Sequence, residues 1–209
     1  MLDAAIIQKC ADPSLTPIVV EQFVQAAGSP DPLAVIVKSG GRLILVPKAK
    51  TPDEALALIR QYVGQAVVRV GLTQFPAGVG VKDASELKPD LIDACENLRV
   101  GTKMFAKILR IVAKWYGNPT SKEVFPQIFE DALYAWKTGE FESVGVFQAD
   151  DPGERIQVAQ PQTTNADEKV QEEADGDQPS AATAKEDNDV GKAEMRIDLS
   201  RIGGDESVK

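Results

Sequence analysis

Histidine is absent from all 209 residues. That removes the side chain most often used as a general base and a metal ligand, and it excludes any Ser–His or Cys–His dyad. Cysteine is nearly as scarce: Cys10 and Cys95 stand far apart and form no CxxC pair. A metal site is not expected, a disulfide scaffold is not implied, and two buried free thiols would suit a reducing compartment. Long apolar runs are missing as well. Stretches such as "LAVIV" fall far short of the roughly 20 residues a membrane-spanning helix requires. The start, "MLDAAIIQKCADPS", carries an early acid and no long apolar segment, so it does not read as a secretory signal. A soluble, cytoplasmic chain without a transmembrane segment is the expectation.

Positive charge is in deficit, but only in one part of the chain. Residues 1–150 hold 16 Lys+Arg against 17 Asp+Glu, a balance of −1, whereas residues 151–209 hold 7 against 15, or −8. The body is nearly neutral and the tail is acidic, so the net charge of −9 says little about what the body binds. The tail also lacks large apolar residues. Residues 151–191 read as a disordered acidic linker, because they cannot bury enough surface to offset the entropy lost on ordering. Residues 192–209 differ: Met195, Ile197 and Leu199 alternate with polar neighbours and Ile202 follows, the pattern of a strand that docks on a sheet edge.

What is present in residues 1–150 is an alternation of helix and strand signals. "LDAAIIQKC" suits a short first helix, and "TPIVVEQFVQAAG" a second, with Thr16 as cap, Pro17 at the first helical position and Gly28 as stop. Leu33–Lys38 and Arg42–Val46 flank a glycine turn and read as a hairpin. Thr51, Pro52 and Glu54 open a third helix in a capping box, and Gly64 ends it. "AVVRVGL" is a further strand. A long helix is expected from Pro89 to Tyr116 with a break near Gly101, then a helix from about Pro126 to Thr138, then a last strand near Ser143–Gln148. The expected class is α+β: a small, mainly antiparallel sheet covered by helices.

The stretch "VGLTQFPAGVGVKDASELKPD" resembles the strand–glycine–helix junction that cradles phosphate, but the details disagree. Asp83 stands where a dinucleotide fingerprint needs its third glycine, and no GxxxxGK[ST] occurs. No nucleotide or other cofactor is therefore expected. Phe75, Pro76, Val79 and Val81 instead mark an apolar loop that either tucks over the core or meets a partner.

The most patterned surface lies on the long helix. Arg99, Lys103, Lys107, Arg110 and Lys114 are spaced 4, 4, 3 and 4 apart. At about 100° per residue they share an arc of roughly 80°, a ridge about 22 Å long. Met104, Phe105, Ile108, Leu109, Ile111, Val112 and Trp115 fall on the other side. Such a ridge suits a nucleic-acid backbone, an anionic lipid surface or a protein partner, and equally a solvated face that complements the helix dipole. The acidic tail is a candidate to fold across it. Carboxylate pairs exist, Asp93/Glu96 and Glu130/Asp131 among them, but nothing assembles a nucleophile, a base and an oxyanion site. No catalytic residue is assigned, and an enzyme is not the expectation.

The segments "ADPSLTPIVVEQFVQAAGSPDPLAVIVKSGGRLILVPKAKTPDEALALIRQ", "VVRVGLTQFPAGVGV", "DACENLRVGTKMFAKILRIVAKWYGNP" and "ALYAWKTGEFE" together resemble the TraH family of rhizobial-type plasmid conjugal-transfer proteins. The resemblance spans roughly residues 1–150 and is distinct from the disulfide-rich exported protein of the same name in F-type plasmids. It implies an accessory role in DNA transfer, with partners among the protein components of the transfer apparatus and DNA as a further candidate. It carries no catalytic residues. Direct DNA binding is the alternative within the binding class, and a carboxylate-based hydrolase the alternative outside it.

Overall fold

In the computed structural model, residues 3–153 and 155–162 are described; the expected acidic linker beyond them and the Met195, Ile197, Leu199 and Ile202 motif lie outside the described residues. Five helices surround a small antiparallel sheet, the α+β arrangement anticipated from the alternating patterns. No helix among the described residues is long and apolar enough to cross a membrane.

Helix α1 (Ala4–Cys10) is capped by Asp3, whose carboxylate accepts from the Ala5 N–H at 2.9 Å. Helix α2 (Pro17–Ala27) starts with proline where the missing N–H costs nothing and stops at Gly28. Thr16 occupies its cap position, its carbonyl accepting from the Val20 N–H at 3.1 Å, but its side chain makes no bond to the helix. Its hydroxyl donates instead to the Pro161 carbonyl at 2.7 Å, and its N–H to Gln160 Oε1 at 2.9 Å. Strands β1 (Val35–Ser39) and β2 (Arg42–Ile44) form the expected hairpin, shorter than the pattern suggested, around Gly40 and Gly41, both at positive φ. Helix α3 (Pro52–Tyr62) keeps the Thr51 cap, which accepts from the Glu54 N–H at 3.3 Å, but Glu54 reaches one residue past the cap and accepts from the Lys50 N–H at 2.7 Å, a displaced form of the capping box.

Strand β3 (Val67–Val70) pairs with β1, and β4 (Phe75–Pro76) pairs with β3, giving the order β2-β1-β3-β4. The register sets Val37 beside Ile44 and Val68, and Val35 beside Val70. Side chains alternate across a strand, so these valines share the inner face while Ile36, Lys38, Leu43, Val67 and Arg69 share the outer one. The inner face joins the main core, whose centre is aromatic. Phe23 of α2 stacks on Phe105 at 4.0 Å between centroids, and Trp136 meets both rings edge-on. Such pairs add about 0.5–1.5 kcal/mol each beyond the area they bury.

Several elements depart from the sequence expectation, each for a local reason. The long helix, α4 (Ala94–Trp115), does not begin at Pro89: residues Pro89–Ile92 form a 3₁₀ turn, and extended Asp93 caps the helix by accepting from the Glu96 N–H at 2.9 Å. It runs through Gly101 without a break. A Cβ there would sit 2.2 Å from Thr73 Oγ1, so glycine admits a neighbouring chain instead of breaking the helix. Helix α5 (Phe125–Thr138) buries Phe125, Phe129, Ala132, Leu133 and Trp136, as its spacing required. The last strand is instead a separate hairpin of β5 (Glu140–Phe141) and β6 (Val144–Gly145), turned by Glu142 and Ser143 at φ 48° and 64°.

The cysteines are not free thiols. Cys10 and Cys95 form a disulfide that ties α1 to the first turn of α4. A bridged pair does not point to a reducing compartment, contrary to the expectation from two free thiols. The folded body also continues past residue 150: Val158 is buried, the Ala159 N–H donates to the Thr120 carbonyl, and Gln160 Nε2 donates to the Ser14 carbonyl at 2.7 Å. Ile156 and Val158 supply apolar anchors that average composition had masked.

Candidate interaction site

The cations of α4 keep their common arc but not their common freedom. Arg99 is exposed and ion-paired with Glu96 one turn back, an interaction that raises its pKa through the hydrogen bond to that carboxylate. Lys107 donates through Nζ to the carbonyls of Phe147 at 3.0 Å and Ala149 at 2.9 Å, so it clamps the chain that follows β6. Partial burial lowers its pKa, against the opposing pull of Asp151 and Asp150. Arg110 is buried and makes a two-pronged bond to Asp151, with Nε–Oδ1 at 2.7 Å and Nη2–Oδ2 at 2.6 Å. The Arg110 bond in turn holds the Asp151 carboxyl below its ordinary value. Lys103 and Lys114 face outward. The ridge is therefore interrupted where residues 147–151 cross the helix, and Asp151, the first residue of the acidic stretch, is what crosses it.

Lys114 and Arg110 do meet a cation the helical spacing did not foresee. With Arg155 and Asn118 they line a cleft of about 530 Å³ at the C-terminal end of α4. Trp115, placed on the core side by its spacing, is instead 58% exposed, with its ring edge-on to Tyr116 and Phe141.

The apolar loop resolves toward the core. Phe75 and Pro76 are buried as strand β4, and Val79 and Val81 are half-buried, so these four residues do not form a free contact surface. Pairing with β3 satisfies this backbone and draws the apolar side chains inward.

The exposed apolar surface lies elsewhere, on the hairpin. Leu43 and Val67 flank Lys38 in one row across the outer sheet face, and Leu45, just beyond β2, is 90% exposed. Strand β2 pairs only with β1, which leaves its other edge open among the described residues. The cue lies in "RLILVP", where apolar residues occupy both alternating sets of a short strand.

Farther along the same outer face, Arg69 is covered. Its guanidinium lies 5.7 Å from the Trp136 ring and 5.4 Å from the Phe147 ring. It donates to the carbonyls of Gln74 at 3.3 Å, Trp136 at 2.6 Å and Lys137 at 3.1 Å, which closes the C-terminal end of α5. Burial pushes its pKa down to about 10.

A fully buried polar hub joins this sheet to α4. Asn97 donates from Nδ2 to the carbonyls of Val70 at 3.0 Å and Leu91 at 2.8 Å, and its Oδ1 accepts from the Thr73 N–H and hydroxyl, both at 2.9 Å. Acids are likewise committed: Asp93 caps, Glu96 pairs with Arg99, and Asp131 accepts from the Tyr116 hydroxyl at 2.7 Å.

Comparison with known proteins agrees with the resemblance. The TraH_2 family model matches residues 1–204. "Uncharacterized protein y4dP" of Sinorhizobium fredii (strain NBRC 101917 / NGR234) is 68% identical over 208 residues, covering 98% of this chain and 100% of the relative. No solved structure matches.

Proposed function

The chain belongs to the TraH_2 family of conjugal-transfer proteins, and from this premise we propose that it serves plasmid transfer as a non-enzymatic interaction component that engages a protein of the transfer apparatus. The observation that carries this reading is the open edge of β2 with Leu43, Leu45 and Val67 in solvent beside it. Unpaired strand edges are templates for an added strand, with backbone bonds giving affinity and alternate side chains giving selectivity. Apolar side chains held in water gain about 25 cal/mol per Å² when a partner covers them. Binding is favoured over chemistry because the acids of α4 and its surroundings act as caps and ion-pair partners. The clefts beside α2 and Arg69 are each lined by at most one carboxylate among the described residues.

The test is capture from mating cells with the full-length chain and its Leu43→Asp/Leu45→Asp variant. Loss of partner proteins and of transfer frequency, at unchanged thermal stability, supports the hairpin as the contact. Full retention of both by the variant rejects it. A parallel capture with residues 1–162 reports whether the remaining tail contributes a second contact.

Direct DNA binding is a second reading, favoured by the cleft that gathers Arg110, Lys114 and Arg155. Lys107 and Arg110 are poor probes because they hold residues 147–151 in place. Charge reversal at Lys103, Lys114 and Arg155 is the informative variant. A loss of low-salt DNA affinity supports this reading, and equal affinity removes it.

A further inference from the structure

The β1–β2 hairpin specifies more about its partner than an open edge alone requires. In an antiparallel pair, alternate residues turn their N–H and C=O groups toward the neighbouring strand. The Gly71 N–H donates to the Ala34 carbonyl at 2.9 Å, one step beyond the Val35–Val70 pair, so Ile36 and Lys38 bond toward β3 while Val37 and Ser39 bond toward β2. Across the hairpin, Val37 and Ser39 stand opposite Ile44 and Arg42. Leu43, between those two, therefore turns its N–H and C=O away from β1 and out to the free edge. Leu45 is the next residue of the same parity, and Pro47 after it has no N–H to donate. Neither leucine's backbone is engaged elsewhere among the described residues. The edge offers two bonding positions and then stops, and the side chains at both are exposed.

A strand that takes these positions pairs residue for residue. The two residues opposite Leu43 and Leu45 exchange both backbone bonds with them and lay their own side chains on the same outer face. Apolar side chains there cover the leucines.

Charge then selects among occupants. Residues 33–50 carry four cations, Lys38, Arg42, Lys48 and Lys50, and no carboxylate, in a chain whose net charge is −9. Asp31 pairs with Lys48 at 3.1 Å, whereas Lys38, Arg42 and Lys50 take part in no ion pair among the described residues. A second copy of the chain is a poor occupant, because pairing β2 with itself about a two-fold axis sets one cationic hairpin against another. A nucleic acid meets the charge but leaves the leucines and the edge N–H groups uncovered.

We propose that the β2 edge receives an acidic extended segment of a partner protein: two apolar residues in alternate positions, bounded on each side by Asp or Glu. This rests on the reading of that edge as the contact surface and adds the chemistry of what it contacts. Backbone bonds hold the added strand, its apolar pair covers Leu43 and Leu45, and its carboxylates meet Lys38 and Arg42 at one end and the lysines after Pro47 at the other. Attraction between exposed charges is screened by salt, so the affinity carries that signature.

The probe is the capped peptide acetyl-Glu-Asp-Val-Thr-Val-Asp-Glu-amide, titrated into the ¹⁵N-labelled full-length protein with the Leu43 and Leu45 amide resonances as readout. The expected result is a saturable shift of both, with a dissociation constant below about 1 mM. Binding should weaken several-fold between about 50 and 300 mM salt. The peptide with both valines N-methylated should not bind, because each loses the N–H that the edge accepts. A peptide with lysine in place of every acid should bind about tenfold more weakly. Lys38→Gln/Arg42→Gln, at two exposed positions, should weaken the acidic peptide about fivefold. Equal saturation by the acidic and the lysine peptide overturns the acidic partner while leaving the edge as a contact. No shift of either leucine by any peptide up to about 5 mM overturns the proposal and the edge reading together. Retained binding of the N-methylated peptide, or saturation of the same two amides by an oligo-thymidine strand, also overturns the proposal.

Discussion

Replacing Asn97 by alanine tests whether the sheet and the long helix are joined by hydrogen bonds or merely by packing. Asn97 is fully buried, and both its amide protons and its carbonyl oxygen are engaged. The substitution strands the Thr73 N–H in the interior and removes one of two bonds to the Val70 carbonyl, which keeps its ladder bond from the Phe75 N–H. The Leu91 carbonyl sits in a partly buried position where water can take over, and the Thr73 hydroxyl retains a longer bond to the Asn97 carbonyl at 3.4 Å. One fully stranded group at about 1–3 kcal/mol, with smaller losses at Val70 and Leu91, gives about 2–4 kcal/mol. With a denaturant dependence of about 2 kcal/mol/M, a loss of about 3 kcal/mol moves the urea midpoint down by about 1.5 M at unchanged slope. Asn97→Asp keeps the shape but turns a carboxylate oxygen toward the carbonyls of Val70 and Leu91. It should be at least as damaging at neutral pH and partly recover in acid, where a protonated carboxyl regains one donor. A midpoint shift below about 0.5 M for Asn97→Ala would refute the reasoning, because it would mean those groups find partners without the amide.

Other outcomes follow from single contacts. The disulfide closes a loop with 85 residues of sequence separation, for which chain entropy gives about 4.5 kcal/mol and measured bridges typically give 2–4. Cys10→Ser/Cys95→Ser, or reduction with dithiothreitol, should therefore lower the melting temperature by several degrees; quantitative maleimide labelling of the unreduced native protein would contradict the bridge. The Asp151 carboxyl has its pKa lowered by the Arg110 bond, so its contribution is present above the unfolded value of about 3.9 and is lost as pH falls through the folded one. Melting curves from pH 5 downward should fall less steeply for Asp151→Asn than for the parent, and identical slopes would reject the linkage. Gly101→Ala gains helix propensity worth about 1 kcal/mol, yet its Cβ would meet Thr73 at 2.2 Å. A net loss of stability is expected in urea titrations, and a gain would show that the approach of Thr73 is not tight.

How much of this was legible in the sequence depended on range. Caps and turns were readable because their chemistry is local: Thr51 with Glu54, Pro17 with Gly28, and Gly40–Gly41 between two apolar runs. The true start of α4 was readable too, since Asp93 stands three residues before Glu96 in the pattern of a capping box, but the proline at 89 drew the boundary earlier. The disulfide carried no such cue. Its partners are 85 residues apart, and spacing alone cannot separate two packed thiols from one bridge. Arg69 gave a partial cue as a charge inside "VVRV"; what covers it, the end of α5 and Phe147, comes from distant sequence.

The basic face of α4 shows why a correct periodicity can still misjudge a surface. A helical wheel fixes which residues point together, and it did so here. It assumes that the far side meets water, and that assumption depends on the rest of the chain. Val146, Ile156 and Val158 anchor the segment after β6 in the core, and the residues between them must then cross α4. Once that crossing is forced, Lys107 and Arg110 lie beneath it, and the most economical sequence places acceptors above them: two carbonyls for the lysine and the Asp151 carboxylate for the arginine. Cations chosen for an internal crossing occupy the same arc as cations chosen for a ligand. The distinguishing mark is the apolar residue on either side of the crossing, which is why the buried Val158, and not the charge pattern, separates the two cases.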